Sequence, residues 1–197
     1  MTVLAMHIRH DALEEISARR HHLAISDYSV VASSLHTVIR SKGVNAVTTV
    51  PDLIQFALHD ALRNDPNVTY LQCSAENQAL TAAMGMYVGG MEPIVMMQNQ
   101  GLFNCINTLR SVGIDGQIPL VLFVGAFGRE FANLGRPLAE SQRVCVNRTP
   151  GVVEALGLPF FPIETPTDLP KVGVAFDTAR DRKCAAVVHF GFFPGWQ

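Results

Sequence analysis

Asp52, Glu76, Gln98, Asn99 and Arg129 carry side chains suited to moving protons or gripping a polar ligand, and each follows a short apolar run. Pro51-Asp52 follows NAVTTV, Ser74-Ala75-Glu76 follows VTYLQ, and Gln98-Asn99-Gln100-Gly101 closes PIVMMQ. Gly125-Ala126-Phe127-Gly128-Arg129 closes IPLVLFVG. Carboxylates hold or transfer protons when a fold places them against a reacting group. Amides offer both donors and acceptors. Each residue also has a purely structural reading. Acids favour helix N-termini, amides satisfy loop backbone, and Gly101 permits a tight turn. It is their arrival together that favours a site.

The elements that must position them alternate from residue 44 onward. Residues 45–50, 68–72, 93–98, 118–125, 159–163 and 184–190 read as strands from their β-branched and apolar content. Between them, 51–63 places Leu53, Ile54, Ala57, Leu58, Ala61 and Leu62 on one helical face, with Pro51 in the first turn. Segment 75–88 is helical and is stopped by Gly89-Gly90. Helical spacing recurs over 102–112 and 150–156, and Thr167 caps a helix running to about Arg182. Strand–helix alternation predicts an α/β fold, a parallel sheet of about six strands with helices on both faces. Ligands bind beyond the carboxyl ends of such strands, which puts the named residues on one edge. Residues 126–149 are Gly- and Arg-rich and weakly periodic, as in a long functional loop with a helix. Residues 1–29 read as a charged N-terminal extension with a helix from about Ala12 to Arg20, and 30–197 as one domain.

Composition narrows the function classes. The chain has 197 residues, 48% hydrophobic and 16% charged, against the about 25% charged of ordinary domains. A sheet covered on both faces or a large partner surface accounts for that. A net charge of −2 offers no basic field for nucleic acid or an anionic membrane. Cys73, Cys105, Cys145 and Cys184 form no C-x-x-C pair, so neither a zinc site nor a disulfide framework is expected. The first residues, MTVLAMHIRHDALEEISARRHH, do not read as a secretory leader. No apolar run approaches the about 20 residues of a membrane span, and the cytoplasm is the expected compartment. There is no G-x-G-x-x-G, Walker loop or G-x-S-x-G, and Gly85, Gly89 and Gly90 lie at the wrong helix end to cradle phosphate. His7, His10, His21 and His22 suit a solvated extension better than a metal. His36, His59 and His189 are isolated and carry no assigned role.

From Val44 to Arg129 the chain resembles the pyrimidine-binding (Pyr) domain of thiamin diphosphate enzymes. GVNAVTTVPDLIQFALHDAL, SAENQALTAAMGMYVGG, PIVMMQNQGLFNCINTLRSV and IPLVLFVG follow that family's segments in order. The pattern Gln98, Asn99, Gly101, Leu102, Asn104, Ile106, Asn107 resembles sulfopyruvate decarboxylase alpha subunits, with the single-chain phosphonopyruvate decarboxylases as relatives. The resemblance implies that Glu76 faces N1′ of the cofactor's aminopyrimidine and holds it protonated, so that the ring's imine takes the proton from C2 of the thiazolium. It implies cofactor contacts from Pro51, Gly101 and Asn104, a proton shuttle at Asp52, and a substrate-facing turn at Gln98 and Asn99. Phe103, Phe127 and Arg129, where the chain departs from the family's pattern, are the candidate substrate residues.

The same resemblance implies a missing half. Diphosphate and Mg²⁺ are held in this family by a Gly-Asp-Gly motif followed by Asn, and Asp115-Gly116 lacks the first glycine. A separate beta-type partner subunit is therefore expected to hold them, in a hetero-oligomer with the site at the interface. The small-residue helix with Ala79, Ala82, Ala83 and Gly85 is a candidate subunit contact. The implied substrate is a small 2-oxo acid. Phe103 replaces a glycine common in relatives, and Arg129 is displaced from their Arg-Gly pair, so an aromatic or branched acid competes with sulfopyruvate. A carboligase on the same cofactor and a non-catalytic stabilising subunit are the alternatives, with a generic nucleotide-binding module behind both.

Overall fold

A computed structural model describes residues 24–196. The helix expected at 12–20, and His7, His10, His21 and His22, lie outside the described residues. Six strands form one sheet: β1 Ala46–Thr49, β2 Thr69–Gln72, β3 Pro93–Gln98, β4 Val121–Gly125, β5 Phe160–Ile163 and β6 Ala186–Phe190. Their order is β2-β1-β3-β4-β6-β5, and every pairing is parallel. The helices are α1 Ala32–Ser41, α2 Phe56–Arg63, α3 Glu76–Val88, α4 Asn99–Asn104, α5 Ile106–Leu109, α6 Val144–Asn147, α7 Thr149–Ala155 and α8 Pro170–Arg182. This is the predicted doubly covered α/β sheet.

The two-residue period of the strands divides the core. Val47, Ile94, Met96, Val121, Phe123, Ala186, Val188 and Phe190 face α1, α2 and α8. Val95, Met97, Leu122, Val124 and Val187 face α3, α4, α5 and α7. Strands β1, β3, β4 and β6 are thus covered on both sides, which is why they read as continuous apolar runs. Burying each large aliphatic or aromatic side chain contributes about 1.5–3 kcal/mol, so packing and not propensity holds helices as short as α4 and α5. Strands β2 and β5 are the edges, and Leu71 of β2 is 39% exposed.

Several element ends differ from the sequence expectation. The helix expected from residue 51 begins at Phe56, because the Asp52 carboxylate takes the Gln55 N–H at 2.8 Å and closes a turn first. Leu53 is consequently outside the apolar face and 60% exposed. The helix expected over 102–112 starts at Asn99 and breaks at Cys105. Past Leu109 it widens into a π turn in which Gly116 N–H bonds Ser111 O. Strand 118–125 pairs only from Val121. Segment 126–149 folds into the 3₁₀ turns Phe131–Asn133 and Leu138–Glu140, then α6. Of the small residues of α3, Ala79 and Ala83 are spent inside this chain, and Thr48 Oγ1 donates to Ala79 O at 2.8 Å. Only Gly85 is exposed and Ala82 half-buried, so the outer face available to a partner is narrower than the run of small residues suggests. Among the described residues no helix is long and apolar enough to cross a membrane.

Topology fixes where a site can form. From β1 the chain passes through α2 to β2 on one side, then returns through α3 to β3 on the other. Strand order reverses between β1 and β3, and the carboxyl ends of these two strands bound the crevice where open α/β sheets bind ligands.

Candidate active site

Glu76 is the first residue of α3, after an extended Ala75 that makes no side-chain cap. The free N–H groups and dipole of the helix start favour its charge. A second feature is specific to this chain. A Cβ added at Gly101 would lie only 2.7 Å from Glu76 Cδ and Oε1. Gly101 is a buried residue of α4 without a positive φ, so its role is close approach and not a tight turn. Asn104 Nδ2 donates to Glu76 Oε2 at 3.1 Å. Among the described residues Oε1 takes no hydrogen bond. The Cys105 thiol is pushed up to about 12, first by burial and then by the Glu76 charge.

Asp52 organises a second cluster at the end of β1. It is 6% exposed. Its Oδ1 accepts the Gln55 backbone N–H at 2.8 Å and its Oδ2 accepts Gln55 Nε2 at 2.6 Å. Burial raises its pKa, against the lowering effect of the Gln55 hydrogen bonds. Across the sheet, a Cβ on Gly125 would meet Ile54 Cβ at 2.7 Å and Asp52 Oδ1 at 3.0 Å. The Asp52 backbone N–H donates to His59 Nε2 at 3.3 Å. That leaves the His59 proton on Nδ1, where it reaches Tyr70 Oη at 2.7 Å. Burial, with Arg63 adding, holds His59 neutral down to about 4. Pro51 beside this cluster is exposed.

Asn99 is fully buried. It donates Nδ2 to Phe127 O at 3.1 Å and to Cys145 O at 3.2 Å, while its Oδ1 takes the Gln100 N–H at 2.9 Å. It ties the β3 end to the β4 loop and to α6, and its donors are not free for a ligand. Gln98 is half-buried and its Nε2 meets Gln100 Oε1 at 3.0 Å. Phe103 is half-buried and Phe127 37% exposed.

Arg129 is bonded within the chain. Its side chain is 2% exposed. Nε bonds Asn133 Oδ1, Nη1 bonds Glu164 Oε2 and Gly191 O, and Nη2 bonds Asn133 O and Arg136 O. These partners use the full donor set of a guanidinium, so Arg129 acts as a strut of the 126–143 segment.

The structure therefore gathers Glu76, Gly101 and Asn104 in one contact group, sets Asp52 in another, and removes Arg129 and the Asn99 amide to scaffolding. Sequence reasoning passed over Gln55, His59 and Tyr70. The spacing of Gln55 three residues after Asp52, at a turn, is the signal that points to it.

Residues 30–145 match the family model described as thiamine pyrophosphate enzyme, N-terminal TPP binding domain. The chain is 24% identical over 141 residues to the sulfopyruvate decarboxylase subunit alpha of Methanococcus maripaludis, covering 72% of this chain and 81% of the relative. It is 23% identical over 137 residues to the subunit of the same name from Methanothermobacter thermautotrophicus, covering 70% and 80%. A phosphonopyruvate decarboxylase of Streptomyces viridochromogenes is 32% identical over 98 residues, half of this chain and 25% of that protein.

Proposed function

Because the chain belongs to the thiamine pyrophosphate enzyme family through that family's N-terminal TPP binding domain, we propose that it is the alpha subunit of a two-chain decarboxylase of a small 2-oxo acid. The names of its relatives, sulfopyruvate decarboxylase subunit alpha and phosphonopyruvate decarboxylase, support the reaction and the need for a partner.

The observation that carries this reading is Glu76, placed at a helix start, closely approached by a glycine that leaves room for nothing larger, and bonded among the described residues through one carboxylate oxygen only. A carboxylate steadied by Asn104 in this way would suit a protonated ring nitrogen of the cofactor. When bound, the cofactor supplies the electron sink that lets a 2-oxo acid lose carbon dioxide. Glu76 holds the proton at the aminopyrimidine, Asn104 fixes the carboxylate, and Gly101 lets the carboxylate lie close. Pro51 borders the same edge. Asp52 carries a proton to the product carbon, and burial suits it to that task by favouring its protonated form. Gln98 offers its amide to the substrate, while Asn99 keeps the turn in place. Phe103 and Phe127 form an apolar wall. With Arg129 consumed internally, the turn after β4 presents Phe127, which favours a 2-oxo acid with an apolar side chain over one with a second anionic group.

Diphosphate and Mg²⁺ belong to a beta-type partner with the Gly-Asp-Gly…Asn motif, since Asp115-Gly116 lacks the motif and Asp115 is paired with Arg110. The assembly is a cytoplasmic hetero-oligomer. The test is to co-purify the partner and measure carbon dioxide release from sulfopyruvate, phosphonopyruvate, phenylpyruvate and branched 2-oxo acids. Glu76→Gln keeps the size and loses the charge, and turnover should drop by about 10²-fold or more. Undiminished turnover in that variant would sink the mechanism.

A further inference from the structure

The polar cluster around Asp52 contains an imbalance. Gln55 is fully buried, and its amide nitrogen faces Asp52 Oδ2 at 2.6 Å, Met97 O at 3.1 Å and Phe123 O at 3.1 Å. An amide brings two hydrogens to these acceptors. Its own Oε1 is buried and unpartnered among the described residues. Turning the amide over would point Oε1 at two main-chain carbonyls and a carboxylate, so β3 and β4 fix the nitrogen toward Asp52. The Gln55 backbone N–H secures the other carboxylate oxygen at 2.8 Å. One residue grips both oxygens of a buried acid.

No cation shares this task among the described residues. His59 is neutral and spends Nε2 on the Asp52 backbone. Tyr70 lies beyond it, with Arg63 over the Tyr70 ring at 5.1 Å. From β4 the acid faces Gly125, and from its own loop the Ile54 N–H. Among the described residues Gln55 is the one side-chain donor to the carboxylate.

We propose that Gln55 is a positioning residue for proton transfer: its amide, held by the carbonyl ends of β3 and β4, clamps Asp52 and stabilises the carboxylate left when Asp52 gives up its proton. This rests on the reading of Asp52 as the proton carrier. The proton passes from the Asp52 carboxyl to the product carbon, the clamped carboxylate remains, and a proton taken up from solvent restores the acid, matching the one proton consumed when a 2-oxo carboxylate becomes an aldehyde and carbon dioxide. Gln55 offsets the burial that favours the protonated acid, and so makes Asp52 the stronger donor.

The test is a carboxyl ¹³C NMR titration of the full chain, assigned with Asp52→Asn, comparing the native protein with the near-isosteric Gln55→Met. The Asp52 midpoint should move upward in Gln55→Met, and the native Gln55 side-chain NH₂ resonances should follow the Asp52 midpoint. An unmoved midpoint in folded Gln55→Met overturns the proposal. Should that variant not fold, native NH₂ resonances that ignore the Asp52 titration overturn it equally. In the assembled enzyme, Gln55→Met should lower kcat about 10- to 100-fold, leave KM unchanged and displace the pH profile upward with the midpoint. Full kcat in Asp52→Asn would remove Asp52 from the reaction while the titration still decides the clamp.

Discussion

Glu76 and Asp52 are both carboxylates at helix-starting turns, and their neighbours separate them. Glu76 is half-buried, with one oxygen bonded to Asn104, whereas both oxygens of Asp52 are bonded within its own turn. An acid at a helix start is comfortable on dipole grounds alone. The glycine packed against it is what that account leaves unexplained. Gly101→Ala tests the point. A methyl group would lie within 2.7 Å of Glu76 Cδ and Oε1, so either the carboxylate swings away or α4 retreats. Overpacking of this kind costs about 1–3 kcal/mol, and a misplaced carboxylate should lower turnover of the assembled enzyme at least about tenfold. Thermal denaturation and carbon dioxide release, read together, separate the two effects. Unchanged turnover in a stable Gly101→Ala protein counts against close approach as the purpose of the glycine.

At the scale of elements, the strands and the order of helices were legible because each buried strand repeats β-branched and apolar residues over its whole length. Loops were legible only as breaks. The 126–143 segment is organised by Arg129, whose partners Glu164 and Gly191 lie 35 and 62 residues away, and periodicity carries no information about such contacts. Helix α1 has Ala32, Leu35 and Ile39 buried at helical spacing, but Val31 at its N-cap makes no side-chain cap bond, so no start signal announces it. The start of α2 was misplaced for the converse reason: the side chain of Asp52 diverts the backbone into a turn before the helix forms. The candidate residues on the β1 and β3 ends were legible from alternation, while the internal use of Arg129 and Asn99 was not. Arg129→Lys should therefore act as a structural lesion. A single ammonium cannot reproduce a five-donor fork, and each buried acceptor left unsatisfied costs about 1–3 kcal/mol. A lower urea midpoint and faster proteolysis within 126–143 are expected; native stability in Arg129→Lys would show that the fork is dispensable.

At the scale of the molecule, the fold buries two histidines that the charge count treats as ordinary. His59 is held neutral down to about 4 and His189 down to about 3, both chiefly by burial, against 6.5 when free. The unfolded chain binds more protons than the folded one between those values and 6.5. Stability from these groups is therefore complete above pH 6.5 and is lost as pH falls toward 4. Asp52 and Glu164, whose pKa values are raised, act in the opposite sense: their contribution is present at low pH and lost as pH rises through their folded values. His189 isolates the histidine effect, because neither ring nitrogen has a partner among the described residues and its ring only stacks near Phe160, with centroids 5.4 Å apart. Replacing it with an apolar side chain of similar size removes an unsatisfied buried polar group, a change of about 1–3 kcal/mol. His189→Leu should raise the urea midpoint at pH 7. It should also flatten the decline between pH 6.5 and pH 4.5 relative to the native chain, leaving His59 to drive the remainder against the opposing Asp52 and Glu164. A His189→Leu protein that is less stable at pH 7, with the native pH slope intact, would mean that the imidazole holds a partner the burial pattern does not reveal.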